Sequence, residues 1–268
     1  MSDVIMKPMT FCLTFDDGLK SHIRVAAPLL EKYGWHGVFS VPTQIVSTGC
    51  LTPCQAEDMC LVGNEWNVMS WDDVKTLMAH GHTVCPHTAT HADLLAHEQA
   101  GRMDEVEREI AESKRQFAER VGEAPRWFCL PHCSGSPQIA ALVRKHGMEP
   151  INGAGKWRVN FGQSSGDGNS YSDIRTFVRR CYYLGMSHVD IMIHGIARSE
   201  GGWMPFEDLD EFRRFLEVLR EEERAGRIRV VRYDEADHSA NESTAGRIRA
   251  RMFWLYRHLT GRKVPMGC

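Results

Sequence analysis

The first residues of the chain, MSDVIMKPMT, lack the basic cluster and the long apolar run of a signal peptide or a membrane span. We therefore expect a cytoplasmic protein. The chain also lacks an excess of positive charge, since 32 Lys and Arg stand against 35 Asp and Glu. This balance offers no overall attraction to nucleic acid, and none is expected as a partner. Any ligand must therefore be argued from a local site.

Paired CxxC motifs, internal repeats and low-complexity tracts are missing as well. The nine cysteines are an odd number scattered through apolar segments such as TFCLTF and HTVCPH. This distribution favours buried, reduced thiols over a disulfide framework. Reduced thiols agree with the expected cytoplasmic location.

Apolar runs of strand length alternate with helical patterns along most of the 268 residues. MTFCLTF, WHGVFSV, HTVCPH, PRWFCLP, VDIMIHG and RIRVVRY are typical of strands, and amphipathic segments such as DEVEREIAESKRQFAERVG separate them. The alternation predicts an α/β fold with about seven parallel strands closed into a barrel. We place this domain at residues 1–236 and a basic tail at 237–268. Segments 47–67 and 154–173 interrupt this alternation of strands and helices and are predicted to be long loops.

Charged and imidazole side chains follow three of the predicted strands. Asp16 and Asp17 end the first strand, His87 and His91 follow HTVCPH, and His194 follows VDIMI. Active sites of parallel barrels lie at the carboxyl ends of the strands. We therefore expect these five residues to share one site.

The spacing HTATH places two imidazoles on one face if the segment forms a helical turn. Together with one carboxylate they form a set of two His and one Asp, which suits a catalytic zinc or a similar divalent ion. One aspartate of the pair would then bind the ion, and the other would remain available as a general base. On its own, the aspartate pair before Gly18 is more typical of a simple turn, and only the histidine pair and His194 favour the functional interpretation.

Four motifs, LTFDDG, HTATHADL, WFCLPHCSGS and DIMIHG, occur in the order and approximate spacing of the polysaccharide deacetylase family. This family is also called the NodB homology domain or carbohydrate esterase family four. The resemblance covers about residues 10–236 and includes the context MSWDDVKTLMAHGHTV and GGWMPFEDLDEFRRFLEVL. It implies a distorted (β/α) barrel that removes acetyl groups from sugars with one divalent metal ion, for which zinc is expected.

The resemblance also implies a role for each matching residue. Asp16 would be the general base, and His194 the general acid. Asp17, His87 and His91 would bind the metal ion. Pro131 and His132 would lie at the oxyanion and substrate position. Apart from the resemblance, Trp203 follows His194 in a loop and is a candidate for stacking on a sugar ring, with simple packing as the alternative.

The chain departs from the family pattern at three places. Many members carry an arginine that orients the catalytic aspartate where this chain has Cys129. His132 and Cys133 replace the usual tyrosine and glycine. The Asp and Trp that orient the catalytic histidine are not identifiable, and Asp190 and Trp203 are candidates by their proximity in sequence. These departures motivate one alternative, a barrel that binds carbohydrate without turnover.

The tail segment GRIRARMFWLYRHLTGRK carries six Arg or Lys and no acid, together with a cluster of large apolar groups. A basic amphipathic helix of this kind can lie on an anionic membrane. The alternative is that the tail packs on the barrel or contacts another copy; the oligomeric state is left open.

The expected activity is removal of an N-acetyl group from an amino sugar. The expected cytoplasmic location favours a nucleotide-linked or lipid-linked precursor of surface polysaccharide over an extracellular polymer. A second alternative is a hydrolase of a non-sugar amide, which the same metal, base and acid could serve.

Overall fold

The computed structural model describes residues 7–62, 67–152, 158–160 and 171–238. In this part of the chain, parallel strands alternate with helices. The strands are β1 (Met9–Phe15), β2 (Val38–Val41), β3 (Thr83–Pro86), β4 (Trp127–Phe128), β5 (Glu149–Pro150), β6 (Arg158–Asn160), β7 (His188–Ile193) and β8 (Ile228–Val230). The helices are α1 (Ala27–Lys32), α2 (Thr43–Thr48), α3 (Pro53–Asp58), α4 (Trp71–Ala79), α5 (Leu94–Gln99), α6 (Met103–Val121), α7 (Pro137–Lys145), α8 (Tyr171–Tyr183) and α9 (Leu209–Arg224).

The main sheet has the strand order β3-β2-β1-β7-β6, and β8 pairs with the first half of β1. All of these pairings are parallel. β4 and β5 form a second parallel pair. The Cys129 amide, just after β4, donates to the Pro86 carbonyl at the end of β3 at 2.9 Å. This bond continues the strand order past β3 and gives the wall of a distorted (β/α) barrel, as predicted.

The core lies between the strands and their helices, and β1 is at its centre. Phe11, Leu13 and Phe15 alternate along β1 and are fully buried. Phe15 stacks on Phe39 of β2, with ring centroids 5.0 Å apart. Because β1 has neighbouring strands on both sides, helices over one face and other strands' side chains at the other, its sequence is almost continuously apolar, as buried parallel strands require. The charged residues begin only where the strand ends.

Local signals set the ends of several helices. In α4 the Ser70 hydroxyl accepts from the Asp73 amide, and the Asp73 carboxylate accepts from the Ser70 amide, which forms a capping box. Gly122 ends α6 in the left-handed conformation that glycine adopts without strain. Both signals are visible in the sequence, and the helix that ends before Gly122 was predicted from its amphipathic pattern.

Segment 47–67, predicted to be a loop, contains the end of α2 and the whole of α3 within its described residues. Thr52 and Gln55 form a capping box at the start of α3. Of segment 154–173, the described part is β6 and the first residues of α8. The tail from residue 239 onward lies outside the described residues, and so does the predicted membrane contact. Among the described helices we find none with the length and hydrophobicity that crossing a bilayer requires.

Candidate functional site

The predicted residues meet at the carboxyl edge of the main sheet. β1 pairs with β2 and β7, and the Asp16 amide donates to the Ile193 carbonyl at 3.0 Å, so Asp16 and His194 leave adjacent strand ends. His87 follows β3, and its amide donates to the Val41 carbonyl at the end of β2 at 2.8 Å. The order of these strands therefore brings together groups that lie far apart in the sequence.

Asp17, His87 and His91 form a buried cluster. The Asp17 Oδ1 atom lies 3.2 Å from His91 Nε2 and 3.5 Å from His87 Nε2. One ligand atom from each residue lies within 4.8 Å of the others. Asp17 adopts a φ of 79°, which turns its side chain away from the direction of the preceding strand. Two imidazole nitrogens and one carboxylate oxygen suit the divalent ion that the resemblance implies.

The HTATH segment approaches the site as a tight loop and forms no helical turn, so the premise of the sequence argument was wrong although the two imidazoles do meet. Thr88 and His91 have positive φ values of 58° and 67°. Buried Glu109 of α6 holds the loop: its Oε2 accepts from the Ala89 and Thr90 amides, each at 3.0 Å. The shape of this loop therefore depends on a carboxylate that is distant in sequence. The spacing of the histidines does not indicate this contact.

Each histidine of the cluster is oriented through its second ring nitrogen. His87 Nδ1 lies 3.0 Å from the Cys129 carbonyl, which can only accept, so Nδ1 carries the proton and Nε2 keeps a lone pair toward Asp17. His91 Nδ1 lies 2.6 Å from Asp58 Oδ2. Metal-binding histidines are commonly oriented by such a carbonyl or carboxylate acceptor. The residues present therefore fit a divalent metal ion.

Electrostatics within the cluster agree with this arrangement. Burial alone would raise the pKa of Asp17, but the charge on His194 and the close contacts with the His87 and His91 rings hold that pKa well below its usual range. Burial would likewise lower the pKa of His91, yet hydrogen bonds to Asp17 and Asp58 raise it. The site is thus built to hold positive charge beside Asp17, and an ion would take over that function.

Asp16 lies beside the cluster and has a different set of neighbours. Its Oδ1 accepts from the Ser40 hydroxyl at 2.8 Å and lies 3.6 Å from the Cys129 thiol. Cys129 is the residue that replaces the usual arginine of the family. The carboxylate is therefore positioned by a hydroxyl and a thiol, and Ser40 is a site residue that the sequence analysis missed.

His194 lies against Trp203, with ring centroids 5.5 Å apart in an edge-on arrangement. The backbone carbonyl of His194 faces Nε2 of buried His22 at 2.8 Å. Asp190, the other candidate for orienting His194, lies elsewhere: its Oδ1 is 2.9 Å from His188 Nε2. Asp190 and His188 lie two residues apart on β7 and share one face of the strand, below the carboxyl edge. We therefore correct the sequence-based suggestion for Asp190.

A cavity of about 270 Å³ opens over these groups. His132 lies at its wall, with Nε2 3.5 Å from Asp58 Oδ2 and its backbone at a φ of 55°. Pro131 begins the same short 3-10 helix and is buried. The lining residues are Asp16, Asp17, Asp58, Met59, His87, His91, His132, Cys133, Met192, His194 and Trp203. Seven of these eleven are acids or histidines, so the cavity is polar at its floor and apolar at Met59, Met192 and Trp203.

The last residue of α3 and the segment after it contribute to the site and contact the loop that follows β7. Asp58 and Met59 line the cavity, and Leu61 forms an antiparallel bridge with Gly201. The Gly202 amide donates to the Cys60 carbonyl at 2.9 Å. Backbone contacts thus fix the loop that carries Trp203 against the segment that carries Asp58.

Comparison with solved structures finds the same fold in several proteins. A mutant of a carbohydrate esterase family four pseudoenzyme from Bacillus anthracis, with restored enzymatic activity, is 14% identical at a TM-score of 0.54. The match covers 85% of this chain and 67% of the pseudoenzyme, so the chain spans about two thirds of that protein. A deacetylase solved with substrate is 15% identical at a TM-score of 0.54, over 88% of this chain and 92% of that one.

A mutant of the peptidoglycan deacetylase PdaC from Bacillus subtilis is 16% identical at a TM-score of 0.53, over 95% of this chain and 98% of that one. At these identities the likeness concerns the fold. The search among curated proteins found no match. The sequence model of the family described as polysaccharide deacetylase matches residues 4–151, which is more than half of the chain. The chain belongs to the polysaccharide deacetylase family.

Proposed function

We propose that the protein is a metal-dependent hydrolase that removes an N-acetyl group from an amino sugar. The observation that carries this proposal is the buried cluster of Asp17, His87 and His91, with Asp16 and His194 lining the same cavity. A carboxylate base, an imidazole acid and a three-residue ligand set are the groups that amide hydrolysis needs.

In this proposal Asp17, His87 and His91 hold one divalent ion, with zinc expected. When bound, the ion would polarise the acetyl carbonyl and lower the pKa of a water molecule. Asp16 accepts a proton from the attacking water, and its carboxylate is kept in position by Ser40. His194 donates a proton to the departing nitrogen, because an amine leaves poorly as an anion. The amide C–N bond breaks, the hydroxyl oxygen stays on the acetyl carbon, and acetate and a free amine are released.

The shape of the cavity supports a sugar as the substrate. Trp203 is 40% exposed at the rim, and an exposed indole offers a flat apolar face for a sugar ring. His132 stands at the wall where the resemblance places contacts to the oxyanion and substrate. The finer expectation that the sugar is linked to a nucleotide or a lipid remains a prediction from the sequence.

The test is acetate release by metal-loaded protein from free, nucleotide-linked, lipid-linked and polymeric N-acetyl sugars. We expect a chelator to abolish the release. Asp16→Asn should keep the ion and lose turnover by about 10²-fold or more, because it removes the base. Asp17→Ala and His91→Ala should lose the ion itself. A fully active Asp16→Asn protein would contradict the assignment.

The second candidate is a barrel that binds carbohydrate without turnover. Two observations favour it: Cys129 replaces the usual arginine beside Asp16, and one of the similar structures is described as a pseudoenzyme. Metal binding and sugar binding with no acetate release from any member of the panel would favour this candidate.

A further inference from the structure

A second cluster of metal-binding residue types lies away from the cavity. Cys12 of β1 and Asp190 of β7 are register partners, and His188 lies two residues before Asp190 on the same face. One ligand atom from each of these three residues lies within 4.8 Å of the others, and all three are buried. Cys12 lies four residues before Asp16 on β1, which places the cluster toward the amino end of the strands. None of these residues lines the candidate active site.

A fourth group reaches this cluster from the carboxyl end of the described chain. His238 Nδ1 lies 3.8 Å from Asp190 Oδ2, and His188 Nε2 approaches the other carboxylate oxygen, Oδ1, at 2.9 Å. The His238 ring stacks on Tyr233, with centroids 3.8 Å apart, and edges onto His188 at 4.7 Å. Side chains from three separate segments therefore converge on one carboxylate.

The hydrogen bond between His238 and a backbone carbonyl determines which of its ring nitrogens directs a lone pair toward Asp190. Its Nε2 lies 2.6 Å from the Tyr233 carbonyl, and because a carbonyl can only accept, Nε2 carries the proton. In the neutral ring, Nδ1 then directs its lone pair toward the carboxylate, and this buried nitrogen has no hydrogen-bond partner. Two acceptors that face each other in a buried place require something positive between them.

A metal ion satisfies this requirement better than a proton does. A proton on His238 would pair with Asp190 alone, and the Cys12 thiol would keep its long contact of 3.7 Å to the Val231 carbonyl. An ion would use Cys12 as well, and thiolate, imidazole and carboxylate are all ligand types that zinc accepts. His238 would move toward the other three ligands to complete a four-coordinate site. His188 also has the outer partner expected of a ligand, since its Nδ1 lies 2.9 Å from the Thr10 hydroxyl.

We propose that Cys12, His188, Asp190 and His238 bind a structural zinc ion, distinct from the metal of the candidate active site. On binding, the Cys12 S–H bond breaks, its proton passes to solvent, and the sulfur donates its electron pair to the ion. The ion would fasten the segment after β8 to β1 and β7. His238 is 15% exposed while the other three ligands are buried, so the ion would enter at His238. This proposal does not depend on the proposed catalytic function.

Cobalt substitution gives a test that separates the two sites. The proposed active-site ligands Asp17, His87 and His91 contain no sulfur, whereas Co²⁺ bound to Cys12 should produce a thiolate-to-cobalt charge-transfer band in the near ultraviolet. Cys129→Ser, which removes the thiol beside Asp16, should keep this band. We expect the band in the unaltered protein and in His91→Ala. Cys12→Ser should abolish it, and His238→Asn should weaken or abolish it. Cys181→Ser, which changes an equally buried thiol on α8, is the matched control and should keep the band.

Zinc content by elemental analysis gives the second readout. Cys12→Ser and His238→Asn should each lose about one equivalent of zinc per chain relative to the unaltered protein, in addition to any loss caused by His91→Ala. Because His238 is partly exposed at the end of the described chain, His238→Asn should fold even if Cys12→Ser does not. A missing band in the unaltered protein, a band that survives Cys12→Ser, or unchanged zinc content in His238→Asn would overturn the proposal.

Discussion

Among single residues, Asp58 is the partner of the candidate metal site that the sequence did not reveal. It lies in the segment predicted to be a long loop, 33 residues before His91, and no spacing rule connects the two. Burial lowers the pKa of His91, and the hydrogen bond to Asp17 raises it. The hydrogen bond to Asp58 fixes which ring nitrogen of His91 faces the metal position. The hydrogen bond from His91 also lowers the pKa of Asp58, so its carboxylate stays ionised over the whole neutral range.

We therefore expect Asp58→Asn to weaken metal binding by about tenfold, because loss of an outer carboxylate lowers the basicity and the order of the ligand. The measurement is competition for the ion with a chelator of known affinity. Glu57→Gln changes an exposed acid on the same short helix and should leave the affinity unchanged. Equal affinities of Asp58→Asn and the unaltered protein would mean that Asp58 does not orient His91.

Ser40 supports a second prediction at the same scale. It is buried on β2 and donates to Asp16 Oδ1, yet it does not line the cavity. A hydrogen bond to a charged group contributes about 1.5–3 kcal/mol. Ser40→Ala should therefore lower kcat about tenfold, because Asp16 loses its orientation, and leave KM unchanged.

Steady-state kinetics on the best substrate of the acetate-release panel checks this prediction. Ser113→Ala removes a buried hydroxyl from α6, far along the chain from Asp16, and serves as the control. If KM rose while kcat stayed constant, Ser40 would act on substrate binding and not on the base.

At the scale of elements, six of the eight described strands and the longest helix were predictable because their patterns are local. The short strands β5 and β6 were not predicted, and β6 lies in a segment predicted to be a loop. β1 ends where the apolar run ends, and α6 ends at Gly122. The shape of the HTATH loop was not predictable, because it depends on Glu109, which is about 20 residues away. The helical-turn premise was wrong for this reason: positive φ at Thr88 and His91 is stabilised by a tertiary contact.

The contact between the segment after α3 and the loop after β7 depends on Gly201. This residue has a φ of 83°, and a Cβ added to it would lie 2.6 Å from the Val62 amide nitrogen and 2.7 Å from the Cys60 carbonyl oxygen. Gly201→Ala should force the two segments apart and displace Trp203. We expect kcat/KM to fall about tenfold or more, because small displacements of groups that position the substrate lower the reaction rate strongly.

A matched control separates the steric effect from the cost of a positive φ. Gly101 has a φ of 73° and nothing within 4 Å of an added Cβ. Gly101→Ala should therefore lower the thermal stability and leave kcat/KM unchanged. Gly201→Ala should lower both the thermal stability and kcat/KM. Thermal unfolding and kinetics on both variants distinguish these effects. The same activity in both variants would mean that the contact does not shape the cavity.

At the scale of the whole molecule, the prediction of a parallel α/β barrel is confirmed. Membership of the family, inferred from four ordered motifs, is confirmed by the family match. What the sequence could not supply is the pairing of side chains from distant elements. Asp190 illustrates this, because its proximity to His194 in sequence suggested a contact with that histidine. In the fold, its position on β7 directs it to His188 and His238.

The stability of the whole fold should depend on pH through Glu222 of α9. This carboxylate is fully buried, and its Oε1 lies 3.2 Å from both Arg175 Nη1 and Arg179 Nε of α8, while Oε2 accepts from Arg227 before β8. Burial would raise the pKa of Glu222, but the hydrogen bond and charge of Arg227, together with the other arginines, lower it. A lowered folded pKa means that the stabilisation is present above the unfolded value of about 4.3 and is lost as the pH falls through the folded value.

Glu222→Gln should therefore lower the free energy of unfolding by about 2 kcal/mol at neutral pH, because three cations lose their shared buried acceptor charge. The difference from the unaltered protein should shrink as the pH falls from the unfolded value of about 4.3 through the lowered folded pKa, where Glu222 itself becomes protonated. Urea unfolding at a series of pH values measures this. Glu221→Gln, on the exposed neighbour that also pairs with Arg175, should cost less than about 1 kcal/mol. Only a charge-dependent contribution to the free energy of unfolding disappears on protonation. If Glu222→Gln lowered the free energy of unfolding by the same amount at every pH, the side chain would act by packing.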